Sequence, residues 1–276
     1  MESRRVLKRS LLLGVIAAIV GFWVSISFGQ PGSRHGRPSD SALPTAKQII
    51  ERYGQALGGR DAILQHKSST TRGTFKIERL NLVADVVIYA KPNKRLEKTT
   101  FPGGGVMLSG FDGEIAWENH PMLGPKIIQG DERESVRRDA DFYYALDELA
   151  WFRSMETVGV EEFESQPCYH LKGINNWGKE NEHFYDKATG LLAGYRFNSE
   201  WRGGPGVTIE VFDDYKKFDG VLVPTRTATK SPAGTDVVMI SSVTFNDVDD
   251  SVFALPDKVR ALAREVEGKK APQKPS

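Results

Sequence analysis

The spacing of apolar residues changes once along the chain, near Ser68. Upstream, Ala46, Ile49, Ile50, Tyr53 and Leu57 recur at helical spacing behind Pro44 and Thr45. Thr45 can cap the first turn, and Gly58-Gly59 closes the run. A short further turn is expected over residues 60–65. Downstream the period is two. Thr74–Glu78 alternates, and Val83–Ala90 is a nearly unbroken apolar run. Segments 94–101, 106–111 and 114–119 follow as strands, with Asp112-Gly113 as a tight hairpin turn. Strands resume at 158–163, 168–173, 182–186, 191–201, 207–215, 221–229 and 236–245, separated by turn signals such as Asp219-Gly220. Between the two groups, residues 131–155 hold Val136, Ala140, Phe142, Tyr143, Leu146, Leu149 and Phe152 at roughly helical spacing. That pattern predicts one helix or two short ones. Residues 257–268 predict a terminal helix, followed by a Lys/Pro tail.

About eleven or twelve strands in antiparallel succession, with few helices, predict a mainly β fold. The expected form is a single, strongly curved antiparallel sheet, an open half-barrel. The helices at 45–57 and 131–155 are the elements available to cover its concave face. No linker longer than a turn interrupts residues 44–256, so one domain is expected there. Residues 30–43, rich in Gly, Ser, Pro and Arg, read as a flexible linker, and 257–276 as a C-terminal helix and tail.

Charge changes the picture at the N-terminus. Arg4, Arg5, Lys8 and Arg9 precede Ser10–Gly29, which carries no charge. A basic segment followed by an apolar one is an export signal, with the basic end held in the cytoplasm. Two readings of residues 1–29 stand. Ser27 and Gly29 put small residues at the −3 and −1 positions of a cut before Gln30. The apolar stretch is also long enough to remain as a membrane anchor. Paired Arg4-Arg5 fits both a twin-arginine signal and an ordinary one. Either way the body is exported, periplasmic or tethered to the inner membrane, and membrane contact runs only through residues 10–29 if they are retained. The whole chain has a net charge of +1, but its basic excess sits at the ends and residues 44–256 carry −6. A net acidic body is ill suited to neutralising phosphates, so no nucleic-acid partner is expected.

Catalytic signatures are sparse. There is no Gly-x-Ser-x-Gly, His-Glu-x-x-His or Walker lysine loop. Gly103-Gly104-Gly105 lacks the Lys-Ser/Thr of a phosphate cradle and reads as a turn, and Asp247, Asp249 and Asp250 lack the spacing of a calcium loop. One cysteine excludes an intramolecular disulfide framework. Cys168, His170 and His183 would share a face if His170 opposed Tyr185, and metal binding by that set is weighed against ordinary half-buried strand residues. No metal, cofactor or catalytic residue is expected. The aromatic residues are more informative. Tyr195, Phe197 and Trp201 lie on one face of a strand, and Val207, Ile209 and Val211 continue an apolar face on the next. Trp117, Phe142 and Trp151 come from the earlier half. Together with Tyr195, Phe197, Trp201, Ile209 and Val211 they are the expected lining of a hydrophobic ligand cavity; core packing is the alternative for each.

Three segments resemble a known family. Tyr185–Leu192 has the aspartate, two residues, threonine, glycine, leucine hairpin of LolA-like periplasmic carriers. Val211–Pro224 resembles a later hairpin of these outer-membrane lipoprotein-sorting-like proteins, and Ile49–Ala62 the opening helix of secreted members. The resemblance spans residues 45–256 and implies an open β half-barrel closed by helices, with an apolar interior. It also implies a non-enzymatic carrier of a lipid or lipoprotein acyl chain. A retained anchor would depart from the free-shuttle pattern, and no acyl-contacting residue of the carriers aligns onto this chain. The alternative is an envelope protein-interaction or sensing module that receives a partner strand on its open sheet edge. A hydrolase would need an active site that no motif signals.

Overall fold

The computed structural model describes residues 43–201 and 204–270. The expected export signal and most of the linker lie outside the described residues. Among those described, no helix is long and apolar enough to cross a membrane.

The described residues begin with α1 (Ala46–Ala56) and α2 (Arg60–Leu64). Thr45 and Gln48 form a reciprocal cap on α1, the Gln48 amide donating to Thr45 Oγ1 at 3.3 Å and the Thr45 amide to Gln48 Oε1 at 2.8 Å. Replacing Thr45 by alanine is expected to lower stability by about 1 kcal/mol, read from the midpoint of urea unfolding. The buried stripe of α1, Ile49, Ile50, Tyr53 and Leu57, packs on Leu171, Tyr185, Leu192 and Val221 of the sheet. Arg52, on the other side of the helix, donates to the carbonyls of Lys187 and Ala188 at 2.9 and 3.0 Å. Those carbonyls belong to the Asp186–Gly190 turn. Asp186 Oδ1 accepts from both the amide and the hydroxyl of Thr189, and Gly190 takes φ +79°, so the motif is explained by what this tight turn requires.

Thirteen strands form one antiparallel sheet: β1 (Ser69–Ile77), β2 (Leu82–Lys91), β3 (Lys94–Thr100), β4 (Val106–Phe111), β5 (Ala116–His120), β6 (Gly124–Ile128), β7 (Phe152–Phe163), β8 (Gln166–Asn175), β9 (Glu180–Asp186), β10 (Leu192–Trp201), β11 (Gly204–Phe218), β12 (Val221–Ser231) and β13 (Gly234–Phe245). Their spatial order is β6-β5-β4-β3-β2-β1-β13-β12-β11-β10-β9-β8-β7. The sheet is thus two meanders joined in the middle by the β1–β13 pair. It does not close, since β6 and β7 are its two edges. Register shifts at Arg72/Gly73, Leu192/Gly194, Phe152/Ser154 and Thr157/Gly159 add local bend. The expected open half-barrel is what the chain forms, with one strand more than the pattern showed.

This topology imposes the central feature. The connection from β6 to β7 must cross the full width of the sheet. It begins as α3 (Gly130–Asp139) and continues through two 3-10 turns, Tyr144–Leu146 and Glu148–Trp151. Val136 and Ala140 pack on Phe111, Ala116 and Ile128, and the second turn leads into β7. The crossover therefore lies over the same face as α1, here called the inner face. The outer face has its own cover. Phe163, Cys168, Phe184, Val211, Ala228 and Val237 cluster there, with the rings of Phe163 and Phe184 stacked at 4.2 Å. The terminal helix α4 (Asp257–Lys270) packs on β5 and β6, burying Val259 and Ala263.

Candidate functional site

Between the crossover and the inner face lies a cavity of about 440 Å³. Strand register decides which side chains reach it. Tyr195 pairs with His183 on β9 and with Glu210 on β11, so these three share the inner face. Phe197 and Phe212 follow from the same alternation, and Arg95 and Glu97 on β3 face them from the other half of the sheet. The crossover supplies Asp131, Arg138, Asp139, Asp141 and Tyr144, and the turn between β8 and β9 supplies Trp177 and Lys179. The lining is accordingly mixed, aromatic and charged, where an apolar one was expected.

Behind the cavity a carboxyl group is sealed into the core. Glu148 is fully buried. Its Oε1 lies 2.5 Å from His183 Nδ1, and its Oε2 accepts from the Tyr185 hydroxyl at 2.6 Å. The crossover is thereby bonded to the floor of the sheet. His183 packs edge-on against Phe152 and tilted over Tyr195, with centroids 5.3 and 4.3 Å apart, which holds the imidazole in place. Tyr53, Tyr144, Tyr185, Tyr195 and Tyr215 all sit well above the usual tyrosine range, because burial disfavours the phenolate; Glu148 adds to this at the first four. These hydroxyls stay protonated at neutral pH, and those of Tyr185 and Tyr215 donate, to Glu148 Oε2 and to the Leu192 carbonyl. Burial also pushes the half-buried Glu210 carboxyl up to about 7, with nearby Asp139 adding and Arg138 opposing. Arg138 itself is held above its ordinary range. Burial works against its charge, but Asp139, which accepts from its guanidinium at 2.9 Å, together with Tyr144 and Tyr195 outweighs that cost.

The structure distributes the residues singled out from the sequence. Tyr195 and Phe197 line the cavity. Phe142 and Trp151 belong to the crossover beside it. Phe142 packs edge-on against Tyr143, and the Trp151 indole donates to Asp141 Oδ2 at 2.8 Å beneath the Arg137 guanidinium. Trp117 is buried on the outer side of β5, since it alternates with Ala116, which faces α3. Ile209 and Val211 also face outward. Because Tyr195 pairs with Glu210, the row Thr208, Glu210, Phe212 points inward and the apolar row between them does not. The side chain of Trp201 lies outside the described residues. Reasoning from the sequence missed Glu148, Arg138, Tyr144, Glu210 and Phe212. Only Glu210 and Phe212 left a signal, as the other half of the β11 alternation.

The Cys168, His170 and His183 set is split. His170 pairs with Phe184 and Tyr169 with Tyr185, so Cys168 and His170 face outward while His183 faces the cavity. A register one residue away from the one required parts them. Burial pushes the Cys168 thiol up to about 11, with Asp186 adding, so no thiolate forms near neutral pH. No group of three or more His, Cys, Asp or Glu among the described residues is arranged to hold a metal ion.

The sequence matches no known protein family and no curated protein. Solved structures do match. A DUF1329 family protein from Desulfovibrio piger superposes with a TM-score of 0.53 at 16% identity, over 75% of this chain and 96% of that one. A LolA superfamily protein from Nitrosomonas europaea gives 0.52 at 15% identity, over 77% and 99%. A putative outer membrane lipoprotein-sorting protein domain from Vibrio parahaemolyticus gives 0.50 at 16% identity, over 75% and 94%. The chain has a LolA-like fold.

Proposed function

We propose that the protein is an exported, non-enzymatic binding protein or carrier of the cell envelope, and that it holds the lipid or acyl part of a ligand in the inner-face cavity. The observation that carries this reading is the cavity itself, roofed by the crossover and walled by Tyr144, Trp177, Tyr195, Phe197 and Phe212. Its volume falls within the roughly 300–1,000 Å³ of small-molecule sites. The fold supports the reading, since one similar structure is described as a lipoprotein-sorting domain. Desolvation of apolar ligand surface, about 25 cal/mol per Å², would drive capture before ordering costs are subtracted. The charged part of the lining suits an amphipathic ligand better than a bare hydrocarbon.

The test uses the purified full chain and a fluorescent fatty acid. Phe197→Leu keeps an apolar side chain and changes its shape, so retention should weaken by about three- to tenfold with the far-ultraviolet circular dichroism unchanged. If the wild-type protein binds no fatty acid, phospholipid or acylated peptide at micromolar concentration, the reading falls. A second reading then takes its place, a strand-receiving interaction module. It has its own support: β7 is a twelve-residue edge strand with Val158 and Val160 43% and 46% exposed.

A further inference from the structure

The cavity lining is unbalanced in charge. Three cations, Arg95, Arg138 and Lys179, stand against six carboxyl groups. Each cation already has an acidic partner in the same lining. Arg95 donates to Glu97 at 2.9 Å, Arg138 to Asp139 at 2.9 Å, and Lys179 lies 3.4 Å from Asp131. Asp141 is engaged as well, accepting from the Tyr143 amide and the Trp151 indole. Two acids remain. Glu180 sits exposed at the rim, and Glu210 projects from β11 into the cavity. Among the described residues, neither has an ion pair or a hydrogen bond from a side chain.

The surroundings of Glu210 narrow what can meet it. Tyr195 is its neighbour across the β10–β11 ladder, and Phe212 is the next inward residue on its own strand. Tyr144, Trp177 and Phe197 complete an aromatic wall. Aromatic faces present negative charge to a cation and are indifferent to hydrogen-bond donors, so a methylated ammonium fits such a wall as well as a primary amine does. An anionic head group would instead meet a lining in which carboxyl groups outnumber cations, and in which Arg138, the cation acting on Glu210, is already bonded to Asp139.

We infer that the cavity takes a ligand bearing a cationic ammonium group, seated between the Glu210 carboxylate and the aromatic wall, with the ligand's apolar part against Phe197 and Phe212. This deepens the proposed carrier function and rests on the same cavity. Attraction between the bound ammonium and the carboxylate offsets the desolvation cost of the Glu210 charge, and the Arg95, Arg138 and Lys179 pairs stay intact.

Calorimetric titration of the full chain at pH 8, with amphiphiles kept below their micellar range, tests the inference. Octyltrimethylammonium is expected to bind at least tenfold tighter than octanoate, which has a similar chain and the opposite charge. Glu210→Gln, nearly isosteric and never charged, should bring the two within threefold of each other. Trp177→Leu should weaken octyltrimethylammonium at least threefold more than it weakens octanoate, because both ligands lose wall contact and only the cation loses the ring face. Tetramethylammonium alone separates two sources of the same chemistry. If it binds within tenfold of the octyl compound, the inference holds for a free amine; if it binds far more weakly, it holds for a lipid. Octanoate binding as tightly as octyltrimethylammonium to the wild-type protein overturns the ammonium site and leaves the carrier reading intact. Failure of every amphiphile to bind overturns both.

Discussion

Replacing Glu148 by alanine is expected to destabilise the protein by about 3–5 kcal/mol. Glu148 is fully buried, and both of its oxygens are used, one by His183 and one by the Tyr185 hydroxyl. Truncation leaves two buried polar groups without a partner, each costing about 1–3 kcal/mol, and opens a void the size of the lost side chain. The consequence extends beyond the contact, because Glu148 bonds the crossover to the sheet floor. Without it the crossover is held to the rest of the fold by Val136 and Ala140 on Phe111, Ala116 and Ile128, by Leu146 and Leu149 on the cluster under α1, by the Tyr143 hydroxyl on the His66 carbonyl and by the Asn176 side chain on the Ala150 carbonyl. Unfolding in urea, followed by tryptophan fluorescence, gives the number. Tyr185→Phe removes one donor and should cost only about 1–2 kcal/mol. In the double variant the two losses should fall short of adding, by at least about 1 kcal/mol, because both report the same hydrogen bond. A loss below about 1 kcal/mol for Glu148→Ala, or strict additivity, would mean that the buried network is not what fastens the crossover.

The parts of the fold legible in the sequence are those whose signals are local. The α1 stripe, the Asp186–Gly190 turn and the Asp219-Gly220 turn each state their geometry within a few residues. The β6 strand escaped because Gly124 and Pro125 open it, and proline there reads as a breaker; at a sheet edge it is tolerated. The segment expected to be helical over 131–155 stays helical only to Asp139. Beyond it the Asp141 side chain takes the Tyr143 amide and the Trp151 indole, a local bonding choice that competes with continued helix. The site was harder to read. Alternation placed Tyr195 and Phe197 correctly relative to each other, but not the next strand relative to them. The β10–β11 register sets Tyr195 against Glu210, and a change of one residue exchanges the apolar row for the acidic one. Glu148 carried no signal at all, since its partners lie 35 and 37 residues away and only the crossing of the sheet brings them together.

Glu210 makes a second large effect measurable through its dependence on pH. Burial, with Asp139 adding and Arg138 opposing, raises its carboxyl from 4.5 to about 7 in the folded protein. The folded state therefore holds this proton more tightly than the unfolded chain does. The stabilisation that comes with the proton is fully present below pH 4.5, declines as pH rises, and is lost above about 7. The rise corresponds to at most about 3 kcal/mol, and partial exposure brings the expectation down to about 2 kcal/mol. A glutamine side chain does not ionise, so the stability gain of Glu210→Gln over the wild type should be near zero at pH 4 and about 2 kcal/mol at pH 8.5. The other groups facing the site, Arg138, Asp139, Tyr144, His183 and Tyr195, are present in both proteins and largely cancel in the difference. Urea unfolding at the two pH values reads it directly. A difference that stays flat with pH would show that Glu210 is solvated like a surface carboxylate, and the charge assigned to the cavity interior would go with it. A difference that grows as stated places a negative charge inside the cavity once the pH exceeds about 7, and that charge is the feature a cationic ligand would need.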